Sequence, residues 1–142
     1  DVLGRFLNMK VDLYNFVSAL NCVLAQRLVR RICDHCKHEV KYQDALLTES
    51  GLDPAEYRNN TFYEGAGCIE CNGTGFHGRS AISELLDLSD RIRGMILDRR
   101  PASEIKKVAH EEGMTFLRES ALLKVLEGQT TLREINKVTF VD

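Results

Sequence analysis

Two Cys-x-x-Cys pairs, Cys33-Asp34-His35-Cys36 and Cys68-Ile69-Glu70-Cys71, stand with thirty-one residues between them. Each pair can place two sulfurs on one tight turn. Two such turns facing each other make a closed tetrahedron of thiolates that suits Zn²⁺. The gap exceeds that of a usual zinc ribbon, so the intervening segment must carry structure of its own. Two disulfides are the alternative, but nothing in the chain marks it as secreted, and disulfide frameworks belong mainly to small extracellular domains. Structural zinc held by Cys33, Cys36, Cys68 and Cys71 is therefore expected. His35 and His38 flank the first pair and could replace a sulfur. With four cysteines filling the shell, they are expected to pack or to hydrogen-bond around the ligands. Cys22, among Leu20, Val23 and Leu24, is expected to be a small buried hydrophobe.

The elements that must position these thiols begin with glycine. Gly65 and Gly67 precede the second pair, and Gly73, Gly75 and Gly78 follow it. A chain wrapped closely around a metal needs little side-chain bulk there. Upstream, apolar residues at helical spacing (Val2, Leu3, Phe6, Leu7) open the chain at once, and residues 1–9 read as the end of a helix. That opening, with Asp1 in place of methionine, gives the chain the look of a piece of something longer. Asp12 is a plausible N-cap for a helix bearing Leu13, Phe16, Val17 and Leu20. Val23 to Ile32 turns toward β, with helix as the alternative. Between the cysteine pairs, Asp44–Ser50 reads as helix stopped by Gly51, and Asp53-Pro54 as a cap with proline at the first helical position. Thr61–Tyr63 and Arg79–Leu88 read as strands.

The last third is helical. Ser89 caps a helix bearing Ile92, Met95 and Ile96 that Pro101 ends. Ser103 opens another, closed by Gly113. Thr115 begins a third, with Phe116, Leu122, Val125 and Leu126, closed by Gly128. Thr131-Leu132-Arg133-Glu134 is a capping box for a final helix. Each helix shows one apolar face, which predicts mutual core packing rather than a partner-facing bundle.

At 142 residues the chain can bury a real core. Apolar content of 44% and charged content of 28% are those of a globular protein. No apolar run reaches membrane-spanning length, and no signal peptide opens the chain. The formal charge of −2 argues against nucleic acid as the main partner. Arg27, Arg30, Arg31, Lys37 and Lys41 form a local basic stretch, expected to be a solvated face. There is no G-x-x-x-x-G-K-[ST] phosphate loop, no G-x-S-x-G elbow and no H-E-x-x-H pair. A shell closed by four thiolates leaves no position for a catalytic water. The residues alone describe a zinc-stapled structural module with a helical appendage.

Two resemblances bear on function. Cys68-Ile69-Glu70-Cys71-Asn72-Gly73-Thr74-Gly75 is similar to the C-x-x-C-x-G-x-G repeat of DnaJ-type co-chaperones, which would make this a zinc module binding unfolded protein clients. Those proteins carry the motif four times. Here it occurs once, and the first pair continues Lys37-His38-Glu39-Val40 without the glycines. The second resemblance covers nearly the whole chain: Leu24-Ala25-Gln26-Arg27-Leu28-Val29-Arg30-Arg31-Ile32-Cys33, the cysteine spacing, Gly75-Phe76-His77-Gly78-Arg79, Glu84-Leu85-Leu86, Gly113-Met114-Thr115-Phe116-Leu117-Arg118 and Gly128-Gln129-Thr130-Thr131, in that order. It resembles the C-terminal region of the secretion ATPases: protein E of the type II (general) secretion pathway and the assembly ATPase of type IV pili. Retraction-type pilus ATPases of the same superfamily lack the cysteines.

That resemblance implies an α+β fold: residues 1–32 as the tail of a RecA-like ATPase core, 33–78 as a tetracysteine zinc-binding subdomain, and 79–142 as a strand followed by a helical subdomain. It implies a cytoplasmic, hexameric parent working at the inner membrane with ATP and Mg²⁺. The partners would be the rest of the core, neighbouring subunits and membrane-platform proteins. The phosphate loop, acidic Mg²⁺ motif and histidine box of these proteins lie upstream, so the stretch itself is expected to be structural and non-catalytic. Between secretion and pilus assembly the sequence leans to secretion. Arg79 belongs to the family's G-x-x-G-R element, which makes it a candidate nucleotide contact, stacking on an adenine or pairing with a phosphate. On residue type alone it is a solvated arginine or a partner for Glu84.

Overall fold

The computed structural model describes residues 13–139. The helix expected over 1–9 and the Asp12 cap lie outside the described residues. The chain order is α1 (Leu13–Ala19), β1 (Cys22–Ile32), β2 (Lys37–Val40), α2 (Asp44–Glu49), α3 (Pro54–Tyr57), β3 (Phe62–Gly65), a 3-10 turn (Ile69–Cys71), β4 (Phe76–Asp87), α4 (Asp90–Leu97), α5 (Ala102–Glu111), α6 (Leu117–Leu126) and α7 (Leu132–Val138). This is the mixed α+β composition expected. β1 pairs with β4, and β2 pairs antiparallel with β3 in the register Lys37↔Gly65 to Val40↔Phe62. Among the described residues no helix is long and apolar enough to cross a membrane.

Packing divides the described residues into two units, residues 13–25 with 84–115 and residues 26–83 with 116–139. α4 and α5 fall in the first of these units, and α6 and α7 in the second.

In the first unit α1 packs on α4, and α4 on α5. Val17, Leu88, Ile92, Ile96, Val108 and Ala109 are buried, following the 3.6-residue period of amphipathic helices. Ser89 accepts a hydrogen bond from the Ile92 N–H at 3.2 Å, the expected cap. α4 ends at Leu97, well before Pro101. A positive φ of 55° at Arg99 turns the chain there, and Pro101, not Ser103, stands at the N-cap of α5. With φ fixed near −65° and no N–H to leave unpaired, proline suits that entry.

The second unit is built on one core: Val29, Tyr42, Leu47, Leu52, Phe62, Ile82, Ala121, Val125, Leu132 and Ile135. It joins residues from β1, β3 and β4, the excursion between the cysteine pairs, and α6 and α7. The Tyr42 and Phe62 rings meet with centroids 4.7 Å apart. Polar crosslinks tie the excursion to the last helices. Arg118 donates from Nη2 to the Ser50 carbonyl (2.6 Å) and from Nη1 to Thr139 Oγ1 (3.0 Å). Asn136 Nδ2 donates to Ser50 Oγ at 3.0 Å. On α6 the buried positions are Ala121 and Val125, while Leu126 of the expected apolar face is exposed.

Candidate metal centre

The loop after β1 presents Cys33 and Cys36; the loop after β3 and the 3-10 turn present Cys68 and Cys71. All four sulfurs lie within 4.8 Å of one another. Cys33 and Cys68 are 3.8 Å apart, Cys36 and Cys71 3.9 Å, and Cys68 and Cys71 3.7 Å. A disulfide needs about 2.05 Å between sulfurs, so these are four free thiols held as the corners of a small tetrahedron. Cys33 and Cys71 are buried and the other two partly buried. The cluster could hold a metal ion, and the residues that make it are those the spacing singled out.

The glycines work by close backbone approach. A Cβ on Gly65 would lie 2.1 Å from the Gly75 carbonyl oxygen, and one on Gly75 would lie 2.5 Å from that of Gly65. The segments entering and leaving the second pair thus cross in direct backbone contact, which side chains would prevent. Gly75 also has a φ of +81°, a left-handed conformation. Its carbonyl accepts the Cys33 N–H at 3.0 Å, joining the two loops.

Backbone N–H groups point at the sulfurs. Gly67 N–H reaches Cys36 Sγ at 3.3 Å, and Cys68 N–H and Gly75 N–H reach Cys71 Sγ at 3.3 and 3.2 Å. Such donors stabilise negative charge on sulfur, as surrounding groups do for metal ligands generally. Burial pushes the Cys71 thiol up, but the N–H donors of Cys68 and Gly75, with help from the Cys68 and Cys36 thiols, outweigh it and bring it down to about 6. Burial likewise pushes Cys36 up, and against the single Gly67 donor it prevails, to about 11. Burial raises Cys68 too. Cys71 is therefore prepared as a thiolate ahead of Cys36 and Cys68. Thr74 Oγ1, donating to the Cys71 carbonyl at 2.8 Å and accepting from Phe76 N–H at 3.1 Å, fixes the turn behind it. Thr74 stands inside the C-x-x-C-x-G-x-G run, so spacing could have found it.

The other candidates fall elsewhere. His38 Nδ1 lies 3.4 Å from the Cys36 carbonyl oxygen, and both His35 and His38 are exposed outside the cluster. Cys22 is exposed, contrary to expectation. On a strand the side chains alternate, and Cys22 and Leu24 lie on the exposed face while Val23 and Ala25 turn inward. Arg79 is exposed on β4, apart from the cysteines.

The basic stretch is not simply a solvated face. Arg30 spans a sequence separation of 104 to reach Glu134, with Nε and Nη2 both 2.6 Å from Oε1, and its guanidinium stacks 4.1 Å above the Phe76 ring. Lys37 Nζ sits 4.6 Å over the Tyr63 ring. The Arg30 carbonyl accepts from Thr130 Oγ1 at 2.8 Å. Thr131 accepts the Glu134 N–H at 3.2 Å, but the Glu134 carboxylate turns to Arg30, leaving only half of the expected capping box. Burial raises the Glu134 carboxyl, and the hydrogen bond and charge of Arg30, with Lys137, more than offset it, so it lies below its ordinary value.

Four clustered cysteines that could hold a metal ion, set between strands and followed by short helices, make up the site of this mixed α+β chain. The family model described as "Type II/IV secretion system protein" matches residues 1–137, and the chain belongs to that family. It is 48% identical over 133 residues to the type IV pilus assembly ATPase PilB of Thermus thermophilus, covering 94% of this chain and 15% of that protein. Against PilB of Myxococcus xanthus the identity is 37%, over 94% of this chain and 24% of the relative. Against type II secretion system protein E of Pseudomonas aeruginosa it is 35%, over 96% and 27%. The chain thus spans about a quarter or less of the length of these relatives.

Proposed function

We propose that this chain is the C-terminal zinc-binding and helical part of a cytoplasmic, hexameric ATPase that powers type IV pilus assembly or type II secretion. Residues 1–32 would be the tail of its RecA-like core, and the stretch itself structural and non-catalytic. The carrying observation is the sulfur geometry. A Zn–S bond of about 2.3 Å implies a tetrahedral edge of about 3.8 Å, and the sulfur pairs stand at 3.7, 3.8 and 3.9 Å. Four thiolates would saturate the ion, whose contribution is to crosslink Cys33, Cys36, Cys68 and Cys71. The sequence alone leaned to secretion. The relatives at 48% and 37% are pilus assembly ATPases, against 35% for a secretion protein E, which favours the pilus branch. Membrane-platform proteins and neighbouring subunits would be the partners, and ATP with Mg²⁺ would bind the parent upstream.

Purified protein should carry one zinc per chain and the mass of five reduced cysteines. Absence of zinc, or a mass lower by four hydrogens, rejects the zinc assignment. The chain alone should show no ATP turnover with or without Mg²⁺. Exchanged for the matching segment of the Thermus ATPase, it should retain pili; a folded chimera without pili argues against that branch. Arg79 is proposed as a nucleotide contact of the intact motor. Arg79→Ala there should weaken nucleotide binding about tenfold to a hundredfold, the equivalent of losing one charge-assisted contact, with zinc retained. Unchanged affinity would leave Arg79 a solvated residue.

A further inference from the structure

Within the second unit lies an open pocket of about 240 Å³ lined by Arg30, Glu64, Phe76, Arg133, Glu134 and Lys137, among others. Its three cations outnumber its two carboxylates. Both carboxylates are engaged: Glu134 Oε1 accepts from Arg30 and lies 3.5 Å from Lys137 Nζ, and Glu64 Oε1 lies 3.3 Å from Arg133 Nη1. The cations are not used equally. Arg30 is committed by two bonds of 2.6 Å and by its stack on Phe76. Arg133 and Lys137 are held only at 3.3 and 3.5 Å, longer than the roughly 2.7–2.9 Å of strong charge-assisted pairs. Both side chains are mostly exposed, at 68% and 61%. One helical turn apart on α7, they can converge on one ligand.

We propose that this pocket is an oxyanion site in which Arg133 and Lys137 capture a phosphate group, while Arg30 and Glu134 form its fixed wall. Small-molecule sites usually measure roughly 300–1,000 Å³, so the volume suits a phosphate group rather than a whole nucleotide. Arg133 supplies the planar fork that matches phosphate oxygens, and Lys137 a mobile point charge. A metal cation would meet three positive side chains and two carboxylates already paired, so the site selects anions. The phosphate can be free or the headgroup of an anionic lipid, and the two sources are separable by experiment.

The test is an amide-resolved NMR titration of the zinc-loaded chain with inorganic phosphate, against chloride at matched ionic strength. Saturable shifts at residues 64–65 and 131–137, reduced at least tenfold in affinity by Arg133→Gln with Lys137→Gln, support the site. The exposure of both side chains lets that variant fold, which an unchanged far-UV spectrum and zinc content verify. Shifts that chloride reproduces, or an affinity the double variant leaves unaltered, overturn it. Vesicles of phosphatidylcholine with phosphatidylglycerol form the second arm. Binding that free phosphate competes away identifies the lipid headgroup as a source. Phosphate binding without vesicle binding identifies the free anion. Vesicle binding that survives phosphate competition or the double variant refutes the pocket as the point of contact.

Discussion

The two packing units solve the same problem by different means. The first, with α1, α4 and α5, depends on a few buried aliphatic residues and on local caps: Ser89 closing on Ile92, and Arg91 meeting Glu111 at 3.4 Å. The second gathers strands and short helices from distant parts of the sequence around Phe62 and Leu132, and adds the thiol cluster and the Arg30–Glu134 pair. α2 and α3 have six and four residues and α7 has seven, too short to persist alone when isolated helices below about 12–15 residues are marginal in water. Short elements closed over long sequence separations gain most from a staple; in the first unit α4 and α5 are consecutive, and only α1, seven residues long, is brought in from a distance.

The sharpest way to break this comparison is to remove the proposed zinc. A structural zinc is worth roughly 10–16 kcal/mol in apparent terms, comparable with the roughly 5–15 kcal/mol of a whole domain. Chelation, or Cys71→Ser, should therefore unfold the second unit. The loss should include α6 and α7, because Ala121, Val125, Leu132 and Ile135 share a core with Phe62. Hydrogen exchange should show residues 26–83 and 116–139 losing protection together while α4 and α5 keep theirs. Protection retained in α6 and α7 after metal loss would mean that the terminal helices stand without the staple.

Next in size is Gly75→Ala. The added methyl would meet the Gly65 carbonyl at 2.5 Å in a residue whose φ is +81°. Left-handed strain and forced displacement together should cost about 2–6 kcal/mol. The loss should appear as a lowered melting temperature and faster zinc transfer to a chelator. By contrast, a Cβ at Gly73 meets nothing within 4 Å, although its φ is +78°. Gly73→Asn, a residue that tolerates that conformation, should cost far less. Equal losses at the two positions would show that backbone crowding behind the thiols is not the cause.

Much of this was legible in the residues. The four thiols were found by spacing, and Asp53 and Ser89 by cap chemistry, because each rests on interactions within a few residues. What escaped depends on distance along the chain. Nothing local says that Arg30 pairs with Glu134, so the basic stretch read as solvated and the Glu134 side chain as a cap. Likewise no helix declares which core it joins. α5 and α6 stand only a few residues apart, yet they pack in different units, while α6 shares a core with Leu47 and Phe62. The misplacement of Cys22 has a simpler origin: apolar neighbours suggested burial, but on a strand every second neighbour faces the other way.

The Arg30–Glu134 pair adds a pH signature confined to the second unit. The folded Glu134 carboxyl lies below its ordinary value, so the pair contributes stability above the unfolded carboxylate range, near pH 4.3. That contribution is lost as pH falls through the lower, folded value. Wild type should therefore exceed Glu134→Gln in stability by about 1–3 kcal/mol at neutral pH, the two converging in acid. Arg30→Ala should reverse the sign. It leaves a carboxylate with 7% side-chain exposure short of its main partner, so burial then raises the Glu134 carboxyl, and acid relieves part of the penalty instead of adding to it. Urea midpoints at pH 5, 6 and 7, with zinc content verified at each pH because thiolate-held metal is released in acid, separate the two slopes, and parallel profiles for the two variants would remove the pair as a cause.

The smallest expected effect belongs to the first unit and tests whether its stability is as local as its contacts. Ser89 does two jobs: its Oγ accepts the Ile92 N–H at 3.2 Å, and its hydroxyl hydrogen is shared between the two Glu112 carboxylate oxygens, each 2.9 Å away. The first bond caps α4; the second ties that cap to the end of α5, where Glu112 is the C-cap. Ser89→Ala removes both and should cost about 1 kcal/mol, the usual loss of a helix cap. Ser89→Thr keeps both and should be nearly neutral. Ser89→Asp separates them: a carboxylate can still accept from Ile92, but it has no hydrogen for Glu112 and faces it with like charge. It should therefore be less stable than Ser89→Thr at neutral pH. In every case faster amide exchange should be confined to α4 and α5. If Ser89→Ala also accelerated exchange around Phe62 and Leu132, the unit with the thiol cluster would depend on the helical one, and the contrast between the two units would fail.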